Sequence, residues 1–554
     1  MSGNSRRQFL QTLCGGLVVS GLAASLPRRA WASDISLSDR MDLLYGNQFA
    51  FDDQGQPRIT VGLMQGRREV VLSASGGLQA LPSGDGGTAI VGGGRWRIRV
   101  ADATPAKQSF RVVLDAVPAT DLRRVAAEAK HWSAHGYEVA EREVGALFGV
   151  AGKVLDTRKV LLTTDLFSSE REAETRAREL AERHNLIPRL HPEVEKRSRG
   201  RLIAEDLESG VRIEAEGVLW FSPRSSPTIT VHDIELDGGA GGRENRPYHG
   251  QIYVAIDRNG ELAVVNLVGE GDLLSGVVPA EIYASAPLEA LKAQAVAARG
   301  HVLAKIGARH LDDPFLLCAH QHCQVYGGAA SEHSRTSDAV RRTLGRVLMR
   351  PNETQLVDTV YSANCGGHTE DNEHVWPSPA DPQLRGTPDP RLPEDFRNGI
   401  DDNILRAWLE QSPSAYSQPA EKFASAYRWS TTIDPAAVAG NPEVPRDLGK
   451  LLRIEVLARG RSGRATHATL HGSRKSVEIH GELRIRRALG GLKSSMFVVE
   501  DSLDRHGRFV LQGGGYGHGV GMCQHGAIGM ANAGKSYGPI LNHYYRDSKL
   551  VRLW

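Results

Sequence analysis

The stretch "LEALKAQAVAARGHVLAK", Leu288 to Lys305, constrains this chain more than any other. Pro287 suits the opening of a helix. Ala290, Ala293, Ala295, Ala297 and Ala298 then allow a neighbouring element to approach its backbone closely. The chain therefore has to pack tightly around this helix. Just ahead of it, "VVPAEIY" places Glu281 two residues after Pro279. Proline biases the preceding Val278 towards extended backbone, which predicts that Glu281 lies on a non-helical lead-in to the following helix. A carboxyl held rigidly and desolvated there can keep its proton near neutral pH and act as a general acid. An acid near a helix N-terminus also interacts favourably with the helix dipole, so the residues alone leave both roles open.

The chain has 554 residues and 40 % apolar content, enough for about two to four domains with real cores. A net charge of +2 gives no electrostatic argument for nucleic acid as a partner. Residues 1–32 read as an export signal. Ser5-Arg6-Arg7-x-Phe9-Leu10 resembles a twin-arginine signal, a weakly apolar stretch runs from Phe9 to Leu26, and Ala30-Trp31-Ala32 suits a signal peptidase. That stretch is short for a membrane span of about 20 residues, and no later window comes near one. The expectation is a protein exported to the periplasm or cell envelope, with no transmembrane segment once the signal is removed. Cys14 leaves with the signal. Cys318, Cys323, Cys365 and Cys523 remain, which an oxidising compartment could pair as disulfides or a metal could bind.

The fold class expected is α+β, with mixed strands in several domains. Residues 33–120 read as a β-rich module with Gly-rich turns. Residues 121–240 read as an α+β subdomain. There Ser169 and Glu172 form a capping box on a helix running to about His184, with Ala173, Ala177, Leu180 and Ala181 on one side. This strand–helix–strand order resembles the sporulation-related (SPOR) repeat that binds peptidoglycan glycan. "DGGAGGRENRPYHG", Asp237 to Gly250, reads as a linker. The largest domain, 250–554, opens with a hairpin turning at Asn259-Gly260. A Pro-rich insertion at about 377–427 is expected to loop over the surface, apart from one helix near "DNILRAWLEQ".

Further clusters carry chemistry. In "HLDDPFLLCAHQHCQVYGG", Cys318 and Cys323 lie among His310, His320 and His322, donors that grip zinc as readily as the cysteines would form a local disulfide. In "GGGYGHGVGMCQHG", glycines surround His518 and let backbone approach something closely. There is no phosphate-binding G-x-x-x-x-G-K-[ST] pattern. In "YSANCGGHTEDNEHVW", Cys365 precedes two glycines and could pair with Cys523, join a metal site, or act as a nucleophile beside a histidine.

Together, "VVPAEIYASAPLEALKAQAVAARGH", "HCQVYGG", "YSANCGGHTED", "VEIHGELRIRRALGGLKSSMF" and "GGGYGHGVGMCQHGAIGMANAGKSYGPILNHYY" resemble the stage II sporulation protein D family (SpoIID/LytB domain) over about 250–554. The resemblance implies a SpoIID-like catalytic domain and lytic transglycosylase activity. Such enzymes cut the β-1,4 bond between N-acetylmuramic acid and N-acetylglucosamine without water, leaving a 1,6-anhydro end, in remodelling of the cell wall. The catalytic acid of the family's V-P-x-E motif is Glu281 here. The sugar's own C6 hydroxyl would attack, so one acid/base suffices where ordinary glycosidases need two carboxylates, and neither Asp272 nor Glu289 is required. The resemblance places His518, Gly517, Gly519 and Gln524 with the glycan strand. It also implies a structural zinc on Cys318 and Cys323 with His310 as third ligand, His322 being less comfortable beside Cys323. Relatives that enhance amidases point to an alternative: a non-catalytic glycan-binding modifier of a cell-wall amidase. A metalloprotease or amidase using the Cys/His cluster is a third reading, against which stands the lack of H-E-x-x-H.

Overall fold

The alanine-rich run forms helix Leu288–Lys305, and it is buried on nearly every side. In the computed structural model, residues 44–554 are described, apart from 47–49, 53–54, 83–88, 151, 185, 187–188, 236–241, 352–353, 377 and 390. The expected signal, residues 1–32, lies outside the described residues. The fold is α+β, as the sequence indicated. No helix among the described residues is long and apolar enough to cross a membrane.

Strands from both ends of the N-terminal half share one sheet. Pro57–Arg67 pairs with Leu262–Gly269, which pairs with Gln251–Ile256, then Val218–Pro223, then Leu78–Pro82. The hairpin turn falls at Asn259-Gly260 as expected, with Gly260 at φ 80°. The Asp237–Gly250 segment is more than a linker: Arg243–His249 is a strand paired with Thr228–Glu235.

The stretch around 107–196 builds a layer of its own. Strand Lys107–Pro118, helix α1 (Leu122–Ala134), strands Ala140–Val144 and Lys159–Phe167, helix α2 (Glu170–His184) and strand Leu190–Lys196 follow in order. Numbered by sequence, the sheet order is fourth, first, third, second, all antiparallel. This is the split β-α-β arrangement. Ser169 accepts from the Glu172 N–H at 3.4 Å, and Ala173, Ala177, Leu180 and Ala181 are buried, as their spacing predicted. Helix α1 was not foreseen; its apolar side is thin, with Val125 and Trp132 its buried residues.

Helix α3 (Glu270–Glu281) follows directly on strand Leu262–Gly269 and contains Pro279. The segment before Glu281 is thus helical, contrary to the expectation from Val278-Pro279. Pro279 there removes one hydrogen bond and crowds the carbonyl four residues back, and the helix stops two residues later. Helix α4 (Leu288–Lys305) is tied to α3 by Arg299, which is fully buried and ion-paired with Glu270 at 2.6 Å. The small side chains of α4 do what the sequence required. Thr359 packs onto them and donates to the Ala297 carbonyl at 2.7 Å. A Cβ on Gly300 would come within 2.4 Å of the Thr359 hydroxyl. Helix α5 (Ser334–Arg342) lies against both.

The Pro-rich stretch is not a surface loop. Leu392, Phe396, Ile400, Ala415 and Tyr427 pack around helix α6 (Asp402–Gln411) and its buried Trp408 in a core of their own. Helix α7 (Gln524–Asn532) packs against α4.

Candidate active site and metal centre

Glu281 is the last residue of α3, so its carboxyl stands at the negative end of the helix dipole. That placement at the end of α3 works against ionisation. Three groups face the carboxyl: the Tyr361 hydroxyl, the Val325 N–H and, at longer range, Lys305. Each favours the charged form. Burial outweighs them and pushes the carboxyl above its ordinary range. Tyr361 stays neutral, since burial drives its own pKa up. It accepts from Gln324 Nε2 at 2.8 Å, which leaves its O–H free to donate to Glu281.

The backbone of the acid is held as well. Gln524 Nε2 donates to the Glu281 carbonyl at 2.8 Å and to Gln294 Oε1, from α4, at 3.2 Å. Gln524, read from sequence as a substrate contact, therefore touches the acid itself. The loop beyond Glu281 is pinned by Arg335, which donates to the Ala284 and Ala286 carbonyls at 2.9 and 2.8 Å. Tyr283 stacks on Phe423 with centroids 5.3 Å apart, and His525 closes the group at 6.3 and 5.9 Å from the two rings. Aromatic faces beside an acid suit the C–H faces of a sugar. Sequence reasoning missed Tyr361, Gln324, Gln294 and the Tyr283–Phe423–His525 group. Tyr361 and Gln324 lie inside stretches it had singled out for their cysteines.

His518 sits behind Tyr361. Its Nδ1 accepts from the Val520 N–H at 3.0 Å, its ring packs on Trp376, and the Tyr361 carbonyl is within hydrogen-bonding reach. Burial lowers its pKa to about 3, so the ring is neutral. Gly517 and Gly519 have φ 96° and 81°. The close approach they permit is to the protein: a Cβ at Gly519 would lie 2.4 Å from the buried Arg464 guanidinium, and one at Gly517 3.0 Å from Ser362. Asp272 is in the first turn of α3, ~14 Å from Glu281 along the axis. Glu289 is engaged by Lys292 at 2.7 Å and by the Tyr537 N–H at 2.9 Å.

His310, Cys318, His322 and Cys323 converge, with their ligand atoms all within 4.8 Å of one another. His310 Nε2 is 3.4 Å from Cys323 Sγ, and His322 Nδ1 is 3.7 Å from both sulfurs. His322 thus joins the three residues expected; His320 does not. The other nitrogen of His310 meets Asp313 at 2.8 Å, the outer carboxylate that commonly fixes a metal-binding imidazole. His310 also has φ 53°, unusual for a residue with a side chain. Two thiols and two imidazoles in this arrangement fit a tetrahedral zinc site. The centre adjoins the acid, because Gln324 and Val325 follow Cys323 directly and Lys305 donates to the Cys323 carbonyl at 2.8 Å.

Cys365 and Cys523 lie elsewhere, buried side by side, where Cys523 Sγ accepts from the Cys365 and Gly526 N–H groups at 3.1 and 3.2 Å. They do not belong to the metal cluster.

Residues 258–349 match the family model described as stage II sporulation protein (SpoIID), and residues 370–521 match a domain of unknown function. The amidase enhancer of Bacillus subtilis is 32 % identical over 306 residues, covering 50 % of this chain and 40 % of the relative. The chain thus spans well under half of that protein. Stage II sporulation protein D of Bacillus amyloliquefaciens is 27 % identical over 335 residues, covering 57 % of this chain and 83 % of the relative. A putative exported protein of Burkholderia pseudomallei aligns over 32 % of this chain and 26 % of its own at 14 % identity and a TM-score of 0.16, too slight a likeness to bear on the fold.

Proposed function

We propose that this chain, a member of the stage II sporulation protein family, is a peptidoglycan lytic transglycosylase with Glu281 as its single acid/base. The observation that carries the reading is the environment of Glu281: a half-buried carboxyl with raised pKa, fixed through its own backbone carbonyl by Gln524, two residues before Tyr283 of the aromatic group. Protonated Glu281 donates to the glycosidic oxygen between N-acetylmuramic acid and N-acetylglucosamine as oxocarbenium character builds at the sugar carbon. The carboxylate left behind accepts the proton of the muramic acid C6 hydroxyl. That oxygen bonds to the anomeric carbon, closing the 1,6-anhydro ring and restoring the acid. The nucleophile belongs to the substrate, so no second carboxylate is needed. The Tyr361 hydroxyl, neutral and aimed at the carboxyl, steadies the anionic stage.

Glycan strands are the substrate, with the Tyr283–Phe423–His525 group and the loop around Gly517, His518 and Gly519 lining its path. The split β-α-β layer at 107–196 supplies a further glycan contact. Export by the twin-arginine-type signal at 1–32 would bring the protein to its substrate in the periplasm or envelope. Zinc on His310, Cys318, His322 and Cys323 would be structural: it would brace the segment from which Gln324 and Val325 reach the acid site.

The kinship with an amidase enhancer supports a second reading, that of a glycan-binding modifier of a cell-wall amidase. Purified sacculi separate the two. On the first reading the protein alone releases anhydromuropeptides and Glu281→Gln abolishes the release. On the second the protein alone releases none, and Glu281→Gln leaves stimulation of an amidase intact.

A further inference from the structure

The three-stranded sheet Leu451–Arg459, Ala465–Gly472, Ser476–His480 has an inner face, with Ala468, Leu470 and Ile479 buried in a core, and an outer face rich in histidine. On the outer face His467 is directly opposite His480 across the antiparallel pair, and Glu478 opposes Thr469. The two imidazoles stack with centroids 3.8 Å apart and planes at 24°. Glu478 Oε2 lies 3.3 Å from His467 Nε2 and 3.7 Å from His480 Nε2. One donor atom from each of the three side chains falls within 4.8 Å of the others. His467 Nε2 is buried and, although Glu478 is 3.3 Å away, makes no hydrogen bond of proper geometry among the described residues.

A neighbour on the same strand shows what an engaged histidine looks like. His471 Nδ1 meets Ser476 Oγ at 3.0 Å and its Nε2 meets Glu455 Oε2 at 2.6 Å, so both nitrogens are satisfied. His467 instead turns an unsatisfied nitrogen towards a second imidazole and a carboxylate, on a strand pair fixed by the core beneath it.

We propose that His467, Glu478 and His480 form a second metal site that takes a divalent first-row transition cation, zinc being the probe of choice. Two imidazoles and one carboxylate, with no sulfur, suit zinc, nickel or copper(II) rather than calcium or magnesium. Coordination at about 2.0–2.2 Å requires the two stacked rings to turn out of their near-parallel arrangement so that both nitrogens point at one ion, and the partial exposure of the rings and of Glu478 leaves room for that. Three protein ligands leave coordination positions open to solvent, where water or an anionic group would bind. The site belongs to the 370–521 region and is independent of the thiolate centre and of Glu281.

Zinc titration of the metal-stripped full chain by calorimetry tests this. The wild-type protein is expected to take two equivalents. His467→Ala/His480→Ala should lose the second, weaker one, with at least a tenfold fall in its affinity, and keep the first. His471→Ala should keep both. Cobalt(II) gives a second measurement: the first equivalent shows a thiolate-to-metal charge-transfer band and the second does not. A wild-type protein whose bound cobalt(II) all shows the thiolate band, or a double variant that retains an equivalent without that band, overturns the proposal.

Discussion

At the scale of single residues, the ionisation of Glu281 is set by opposed influences. Burial raises its pKa, while the Tyr361 hydroxyl and the Val325 N–H lower it. On the proposed mechanism, catalysis by the protonated acid should therefore fall away as pH rises through that raised pKa. Removing a group that stabilises the charged form raises the pKa further, so Tyr361→Phe should shift the alkaline limb of the kcat/KM profile to higher pH while lowering kcat. Stability responds in the matching sense. A carboxyl whose folded-state pKa exceeds its unfolded value binds more protons when folded, so its contribution is full at low pH and is lost as pH rises towards the folded value. Glu281→Gln removes that ionisation, and its melting temperature near neutral pH should equal or exceed that of the parent. Glu281 is singled out in the sequence only through the resemblance to the family's V-P-x-E motif. Its partners are not, since a tyrosine hydroxyl 80 residues away or a glutamine reaching a backbone carbonyl leaves no local pattern.

At the scale of elements, α4 shows how small residues become a site. Thr359 sits on Ala297 and against Gly300, and Tyr361 follows two residues later, so the packing of α4 sets where the hydroxyl meets the acid. Gly300→Val would drive side-chain atoms into Thr359. It should cost about 1–3 kcal/mol of stability, read by chemical denaturation, and lower kcat beyond what the unfolded fraction explains. Gln524→Ala should leave KM nearly unchanged and lower kcat about tenfold if positioning of the acid is its role; a substrate contact would raise KM instead. Helices with strong caps or one apolar side, such as α2, were readable from their spacing. Helix α3 differs from the expectation because Pro279 reads as a helix stop, yet the helix runs through it to Glu281 despite the lost donor and the crowding of the carbonyl four residues back. Helix α6 is readable from "DNILRAWLEQ", whereas the rest of the Pro-rich segment reads as surface loop because Leu392, Phe396 and Ile400 are spread too widely to show a period, although they meet Trp408 in one core.

At the scale of the whole molecule, the Cys/His cluster links the N-terminal sheet to Glu281. Leu317 and Cys318 run parallel to strand Pro57–Arg67, and Cys323 leads into Gln324 and Val325. Stripping metal with a chelator should therefore lower the melting temperature and the activity together, and zinc should restore both. An inert metal would leave both unchanged. His322 was the ligand hardest to foresee: side chains of adjacent residues tend to diverge, and only the turn between Cys318 and Cys323 brings its ring to the sulfurs. The sharing of one sheet by residues 57–82 and 218–269 was equally hidden, because strand partners so distant in sequence carry no local signal.

The most direct measurement is mass spectrometry of the muropeptides released from sacculi in water enriched in oxygen-18. Intramolecular attack assisted by Glu281 predicts 1,6-anhydro ends without the label, and no such products from Glu281→Gln. Labelled reducing ends, or anhydro products that persist in Glu281→Gln, would contradict it.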